Sequence, residues 1–123
     1  MSKNQGKRNR ARGAEFEREA CKALHNLGFL TARKTGSIQS NGLGDPDIAG
    51  IPGIWVSAKR WKKVMKWHLW WRDAEERTTQ GQVPMILHRK DNGEIHVSFK
   101  LNDLPQVMEG LQDSLDISRK LHP

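Results

Sequence analysis

The run Gly44-Asp45-Pro46-Asp47-Ile48-Ala49-Gly50-Ile51-Pro52-Gly53-Ile54-Trp55-Val56-Ser57-Ala58-Lys59 holds the pattern that decides the reading of this chain. Two short apolar stretches, 47–49 and 54–59, flank Ile51-Pro52-Gly53, a turn sequence, and read as neighbouring strands. Asp47 opens the first of them. Pro46 biases the residue before it, Asp45, toward extended geometry, so the Asp47 carboxylate emerges at the head of a strand and points into the mouth of a sheet. On the second strand Ser57 and Lys59 are two residues apart and therefore face the same side. An acid, a hydroxyl and an amine are predicted to meet at one point.

Outward from this pair, the N-terminal side begins with residues 1–12, where Lys3, Lys7, Arg8, Arg10 and Arg12 occur with almost no apolar residue. Such a segment buries too little surface to offset its ordering entropy and reads as a flexible basic arm. From Ala14 onward Phe16, Ala20, Ala23, Leu24 and Leu27 recur at helical spacing, with Gly28 placed as the C-terminal cap. Glu15, Glu17 and Glu19 fall in the first turns of that helix. Residues 29–35, between Gly28 and Gly36, read as a strand, and 37–44 as a polar loop.

On the C-terminal side, residues 62–79 contain neither proline nor glycine and read as a second helix. Val64, Trp67, His68, Trp71 and Ala74 lie on or near one face, and Gly81 ends it. Residues 83–88 and 94–99 flank Asp91-Asn92-Gly93, a strong hairpin signal. Asp103 then caps a terminal helix containing Val107, Met108 and Leu111, with Pro105 in its first turn. The expected order is αβββα followed by a β-hairpin and a last helix, with 113–123 as a C-terminal tail.

A chain of 123 residues is the size of one domain. Its formal net charge of +7 makes nucleic acid the expected partner, through phosphate neutralisation and counterion release. The plainer alternative is a basic soluble protein. The single cysteine, Cys21, excludes an intramolecular disulfide and fits a reducing compartment. No run approaches a membrane span and the charged N-terminus lacks the apolar stretch of a signal peptide, so a cytoplasmic location without membrane association is expected. The five histidines show no zinc-ligand spacing. Gly36, Gly42 and Gly44 lack the context of a phosphate-cradling loop, so no nucleotide cofactor is expected.

The converging acid, hydroxyl and amine suit phosphodiester chemistry. Hydrolysis there needs a nucleophilic water and charge stabilisation on the phosphate, which one or two Mg²⁺ (or Mn²⁺) ions can supply through a few hard oxygen ligands. Asp47 is the first candidate ligand, Lys59 the group that orients water or offsets phosphate charge, and the first helix a source of another acid.

Gly13-Ala14-Glu15-Phe16-Glu17-Arg18, Gly28-Phe29, Arg33-Lys34-Thr35-Gly36-Ser37, Pro46-Asp47-Ile48 and Val56-Ser57-Ala58-Lys59, in that order, resemble the motifs of the PD-(D/E)XK nuclease superfamily. Within it the chain is most similar to the archaeal-type and phage Holliday-junction resolvases, over roughly residues 13–90. The resemblance implies an α/β, restriction-endonuclease-like αβββαβ core, a central mixed sheet flanked by helices, in a single nuclease domain spanning 13–112. It implies a Mg²⁺-dependent endonuclease acting on four-way DNA junctions as a homodimer, in a bacterial or phage-infected cytoplasm. The family's helix-one glutamate falls on Glu17, its aspartate on Asp47 and its lysine on Lys59. A loop serine near the scissile region falls on Ser37, with Ser40 as the reserve.

Ser57 departs from the pattern, because most of the family carries a metal-ligating acid there. Losing that charge weakens metal binding. Three readings stand open. The serine replaces a natural acid in an engineered knockout, or another acid fills its place, or the chain binds DNA without cutting it. Substitutes for the acid are Asp45 and, from the second helix, Asp73, Glu75 and Glu76, of which Asp73 and Glu76 share a face. The alternative for these helix acids is a solvated face paired with Arg72 and Arg77. Within enzymes, a nickase or flap nuclease is the other candidate.

The expected DNA surface comprises Lys7, Arg8, Arg10, Arg12, Arg33, Lys34, Arg60, Lys62, Lys63 and Lys66, contacting phosphates rather than bases. Trp61, Trp67, Trp70 and Trp71 interleave with the last of these. They either stack on unpaired bases or serve as core and interface anchors. Trp67 and Trp71 are expected to face inward, with Leu69 and Trp70 left for a dimer contact.

Overall fold

Phe16, Ala20 and Leu24 recur every fourth residue, and in the computed structural model all three are buried on one face of the first helix, α1 (Lys3–Asn26). The structure describes residues 3–35 and 45–121, with side chains from residue 13 onward. At the end of α1 Gly28 takes φ 103°, while Phe29 N–H reaches the Leu24 carbonyl at 3.0 Å and Gly28 N–H that of His25 at 3.0 Å. These are the paired bonds of a Schellman cap, which needs a residue free of a Cβ penalty.

The helix starts far earlier than the expected Ala14, so the basic arm foreseen over residues 1–12 is, from Lys3 onward, helical backbone. Once the packed turns around Phe16 nucleate a helix, each further residue adds one hydrogen bond at little extra cost. Lys, Arg, Gln and Ala propagate it well.

The sheet has five strands in sequential spatial order: β1 (Arg33–Lys34), β2 (Ile48–Ala49), β3 (Ile54–Trp61), β4 (Val83–Lys90) and β5 (His96–Ser98). β1–β2, β2–β3 and β4–β5 pair antiparallel, while β3 and β4 run parallel from Ile54↔Val83 to Trp61↔Lys90. A parallel pair needs a crossover, and α2 (Trp67–Arg77) supplies it. The chain is thus α/β, a mixed sheet flanked by helices. The hairpin turn is where the sequence put it, with Asn92 at φ 65° and Gly93 N–H on the Lys90 carbonyl at 2.7 Å.

Strand periodicity splits the core. Ile54 and Val56 join Phe16, Ala20, Leu24, Ile48, Met85, Leu87 and Val107 in the larger cluster, on the side of α1 and the terminal helix α3 (Leu104–Leu121). Trp55 and Ile86 face the other way, onto Ala74 of α2. Cys21 lies in the larger core, where burial pushes its thiol pKa up, as expected of a structural cysteine.

Several boundaries differ from expectation. The strand foreseen over 29–35 is reduced to two residues. β3 and β4 each run two residues further, because their parallel ladder continues to Trp61 and Lys90. α2 begins only at Trp67, and Val64, expected on its inner face, is 70% exposed. The preceding Lys62, Lys63 and Lys66 would stack like charges along a helix. The tail foreseen after residue 112 is the second half of α3. Its buried positions are Val107, Gly110, Ser114 and Ser118, a helical stripe written in small residues. The stripe serves close contact: a Cβ on Gly110 would lie 2.2 Å from the Pro52 carbonyl oxygen. Ser118 Oγ accepts the Leu30 N–H at 2.9 Å, and the Ser114 hydroxyl pairs with that of Thr31.

Candidate active site

At the head of β2 the chain changes partners. Asp47 N–H donates to the Val56 carbonyl at 2.9 Å, and Thr35 N–H donates to the Asp47 carbonyl at 3.1 Å. The next donor on β3, Ala58 N–H, goes to Asp47 Oδ2 at 2.8 Å instead of to backbone. The Ser57 hydroxyl donates to the same oxygen at 3.3 Å. The Asp47 side chain thus replaces a ladder acceptor, which fixes its carboxylate and leaves Oδ1 without a hydrogen bond among the described residues.

Glu17 arrives from α1. It is half-buried, with its carboxylate 4.0 Å from Lys34 Nζ. Burial first, and then repulsion from Asp47, push its pKa above the ordinary glutamate value, while Lys34, Lys59 and Arg18 pull it down. One acid thus feels both Asp47 and Lys59, which places Glu17, Asp47 and Lys59 in one electrostatic site. Ser57, bonded to Asp47, is 1% exposed.

Lys59 is tied to α2. Its Nζ lies 3.9 Å from Asp73 Oδ2, while Asp73 Oδ1 takes Arg77 Nε at 3.3 Å. Among the possible substitute acids, Asp73 is therefore the one that reaches the lysine. Glu75 pairs with Lys100 at 3.3 Å. Glu76 and Asp45 are exposed and make no ion pair among the described residues. Glu19 pairs with Arg89 of β4, whose guanidinium also lies 5.0 Å from the Phe16 ring centroid. Nothing in the local sequence announces that contact.

Among the described residues no group of three or more His, Cys, Asp and Glu side chains is placed to hold a metal ion. The donors present are two carboxylates, Glu17 and Asp47, and a hydroxyl. That hard-oxygen set fits Mg²⁺, which uses one or two carboxylates, water and substrate phosphates. It does not fit a metal that prefers nitrogen or sulfur.

Of the expected DNA contacts, Lys62, Lys63, Lys66 and Arg33 are exposed. Lys34 is engaged by Glu17, and Arg60 by Asp91 at 2.6 Å. A concavity beside the site is lined by Gly13, Ala58, Lys59, Arg60, Trp61, Lys62 and Asp91. The side chains of Lys7, Arg8, Arg10 and Arg12, and all of Ser37 and Ser40, lie outside the described residues. Trp70, expected on an outer face, packs with Trp71 on the Trp55 cluster. Trp67 meets both edge-on, at 6.4 and 5.7 Å between ring centroids, and is 37% exposed. Among the described residues, no helix is long and apolar enough to cross a membrane.

Comparison of the chain with protein-family models, curated proteins and solved structures found no match.

Proposed function

We propose that this protein is a Mg²⁺-dependent, structure-selective DNA endonuclease of the PD-(D/E)XK type, resolving Holliday junctions as a cytoplasmic homodimer. One observation carries the reading: Asp47 at the head of β2 is held by Ser57 and Ala58 of β3, with Glu17 and Lys59 in the same electrostatic site. Glu17 and Asp47 would hold the ion, with the Ser57 hydroxyl beside them. When bound, Mg²⁺ supplies charge stabilisation at the phosphate and a more acidic water. Lys59 supplies the positive charge that orients that water or offsets the phosphate. Lys62, Lys63 and Lys66 contact the backbone without reading bases, which suits recognition by shape.

A catalytically silent junction-binding protein is the second reading. It is favoured by the Lys59–Asp73 pair, which occupies the lysine, and by the uncharged Ser57.

Cleavage of an end-labelled four-way junction in Mg²⁺ separates the readings, with the parent chain, Ser57→Glu and Asp73→Ala compared and linear duplex as control. Paired symmetric nicks by Ser57→Glu alone support a nuclease that lacks its acid at Ser57. Nicks by the parent that vanish in Asp73→Ala support an acid moved to α2. Tight junction binding without nicks by any form supports the silent protein. Equal affinity for duplex and junction refutes junction selectivity.

A further inference from the structure

The parallel register of β3 and β4 aligns two rows of side chains on the sheet face that carries Ser57 and Lys59. Trp61 follows Lys59 at the next position on that face of β3, and His88 and Lys90 stand opposite on β4 through Lys59↔His88 and Trp61↔Lys90. β5 adds His96 through His88↔His96. Together with Met65 and Glu94 these residues line a pocket beyond the start of α2.

Its lining has the chemistry of a heteroaromatic ring site. Lys90 Nζ lies over the Trp61 ring, 5.4 Å from its centroid, so the lining includes both an indole and the cation that covers its face. His88 and His96 stack at 5.8 Å with 19° between planes. The His88 plane is fixed by Ser98 Oγ at 2.8 Å from its Nε2 and by the Trp67 ring at 5.4 Å. Polar edges remain for in-plane hydrogen bonds at the exposed His96 and Glu94. Lys62, Lys63 and Lys66, on the segment joining β3 to α2, supply exposed cations close by.

We infer that this pocket takes a single unpaired nucleobase of a DNA strand whose backbone passes Lys59, which rests on the DNA reading proposed above. Two strand positions separate Trp61 from Lys59, about 7 Å, roughly the rise of two nucleotides. A base in duplex has both faces stacked and cannot enter a pocket walled by Trp61 and the histidines. A base freed at a branch or gap can enter, with its phosphates on the lysines.

The test uses the full chain and oligonucleotides carrying 2-aminopurine, whose fluorescence is quenched by aromatic stacking. The base is placed at an unpaired position two nucleotides from a branch, or within a fully paired duplex, in Ca²⁺ to prevent cleavage. The parent chain is expected to alter the emission of the unpaired probe and leave the paired one unchanged. Trp61→Ala is expected to lower affinity for the unpaired substrate about 5- to 150-fold, the effect of one lost base–aromatic stack, with duplex affinity held within about twofold because phosphate contacts set it. Trp61→Phe should retain binding. His96→Ala, at an exposed edge position, should also weaken the unpaired substrate and serves if Trp61→Ala fails to fold. Unchanged emission and affinity in His96→Ala and Trp61→Ala overturn the pocket and leave the DNA reading standing. A parent chain that binds neither substrate overturns both.

Discussion

Replacing Ser57 by glutamate should make the fold depend on a cation. Ser57 is 1% exposed and its hydroxyl is 3.3 Å from Asp47 Oδ2, so a carboxylate introduced there cannot retreat far from Asp47. Two negative charges about 4–6 Å apart at an effective dielectric near 20 repel by about 3–4 kcal/mol. Overpacking adds about 1–3 kcal/mol, and Ser57→Gln isolates that part because it has the size without the charge. Urea unfolding followed by tryptophan fluorescence in EDTA should therefore place Ser57→Glu about 3–4 kcal/mol below Ser57→Gln at pH 7.5. Mg²⁺ at a hundredfold excess over its dissociation constant should return about 2.7 kcal/mol to Ser57→Glu and far less to Ser57→Gln. Equal stability of the two variants in EDTA would refute the reasoning, since the introduced charge would then not be confined beside Asp47.

Other outcomes follow from the same geometry. Glu17 has its pKa raised in the fold, chiefly by burial and next by Asp47, so the native state binds the extra proton. Stability should then fall as pH rises from the ordinary glutamate value through the raised one, and Glu17→Gln should flatten that slope in a pH series of urea midpoints while lowering Mg²⁺ affinity. His88 has its pKa lowered, by burial first and His96 second. Stability should be lost as pH falls below the ordinary histidine value near 6.5, and an NMR titration should show His88 protonating at lower pH than an unfolded reference. Gly110→Ala should cost at least about 1–3 kcal/mol in urea unfolding, because the Pro52 carbonyl stands where its Cβ must go.

The hairpin at Asp91-Asn92-Gly93, the buried face of α1 and the pair of strands around Asp47 and Ser57 were all legible in the sequence. Each is set by local chemistry: a turn dipeptide, a four-residue apolar period, and the two-residue period of a strand. α3 was cut short because Gly110, Ser114 and Ser118 bury without being apolar, so hydrophobic periodicity ends before the helix does. The early start of α1 was hidden for the opposite reason, since a charged surface gives no packing signal while the backbone still propagates from a packed nucleus. Trp70 packs inward on the Trp55 cluster although it lies off the helical face through Trp67 and Trp71, because that face alone does not say where the sheet lies.

By itself the sequence determined which chemical groups are present near the head of β2 and their spacing: Asp47, the Ser57-Ala58-Lys59 step, and an acid-bearing helix upstream. Tertiary structure alone decided which groups meet. Glu17 feels Asp47 because α1 packs across β3, Asp73 reaches Lys59 because α2 crosses the opposite face, and Trp61 lies beside His88 and His96 because β3 and β4 are in parallel register. Those juxtapositions join residues far apart in the chain, and their energy comes from burying a shared core, which no local run of residues encodes.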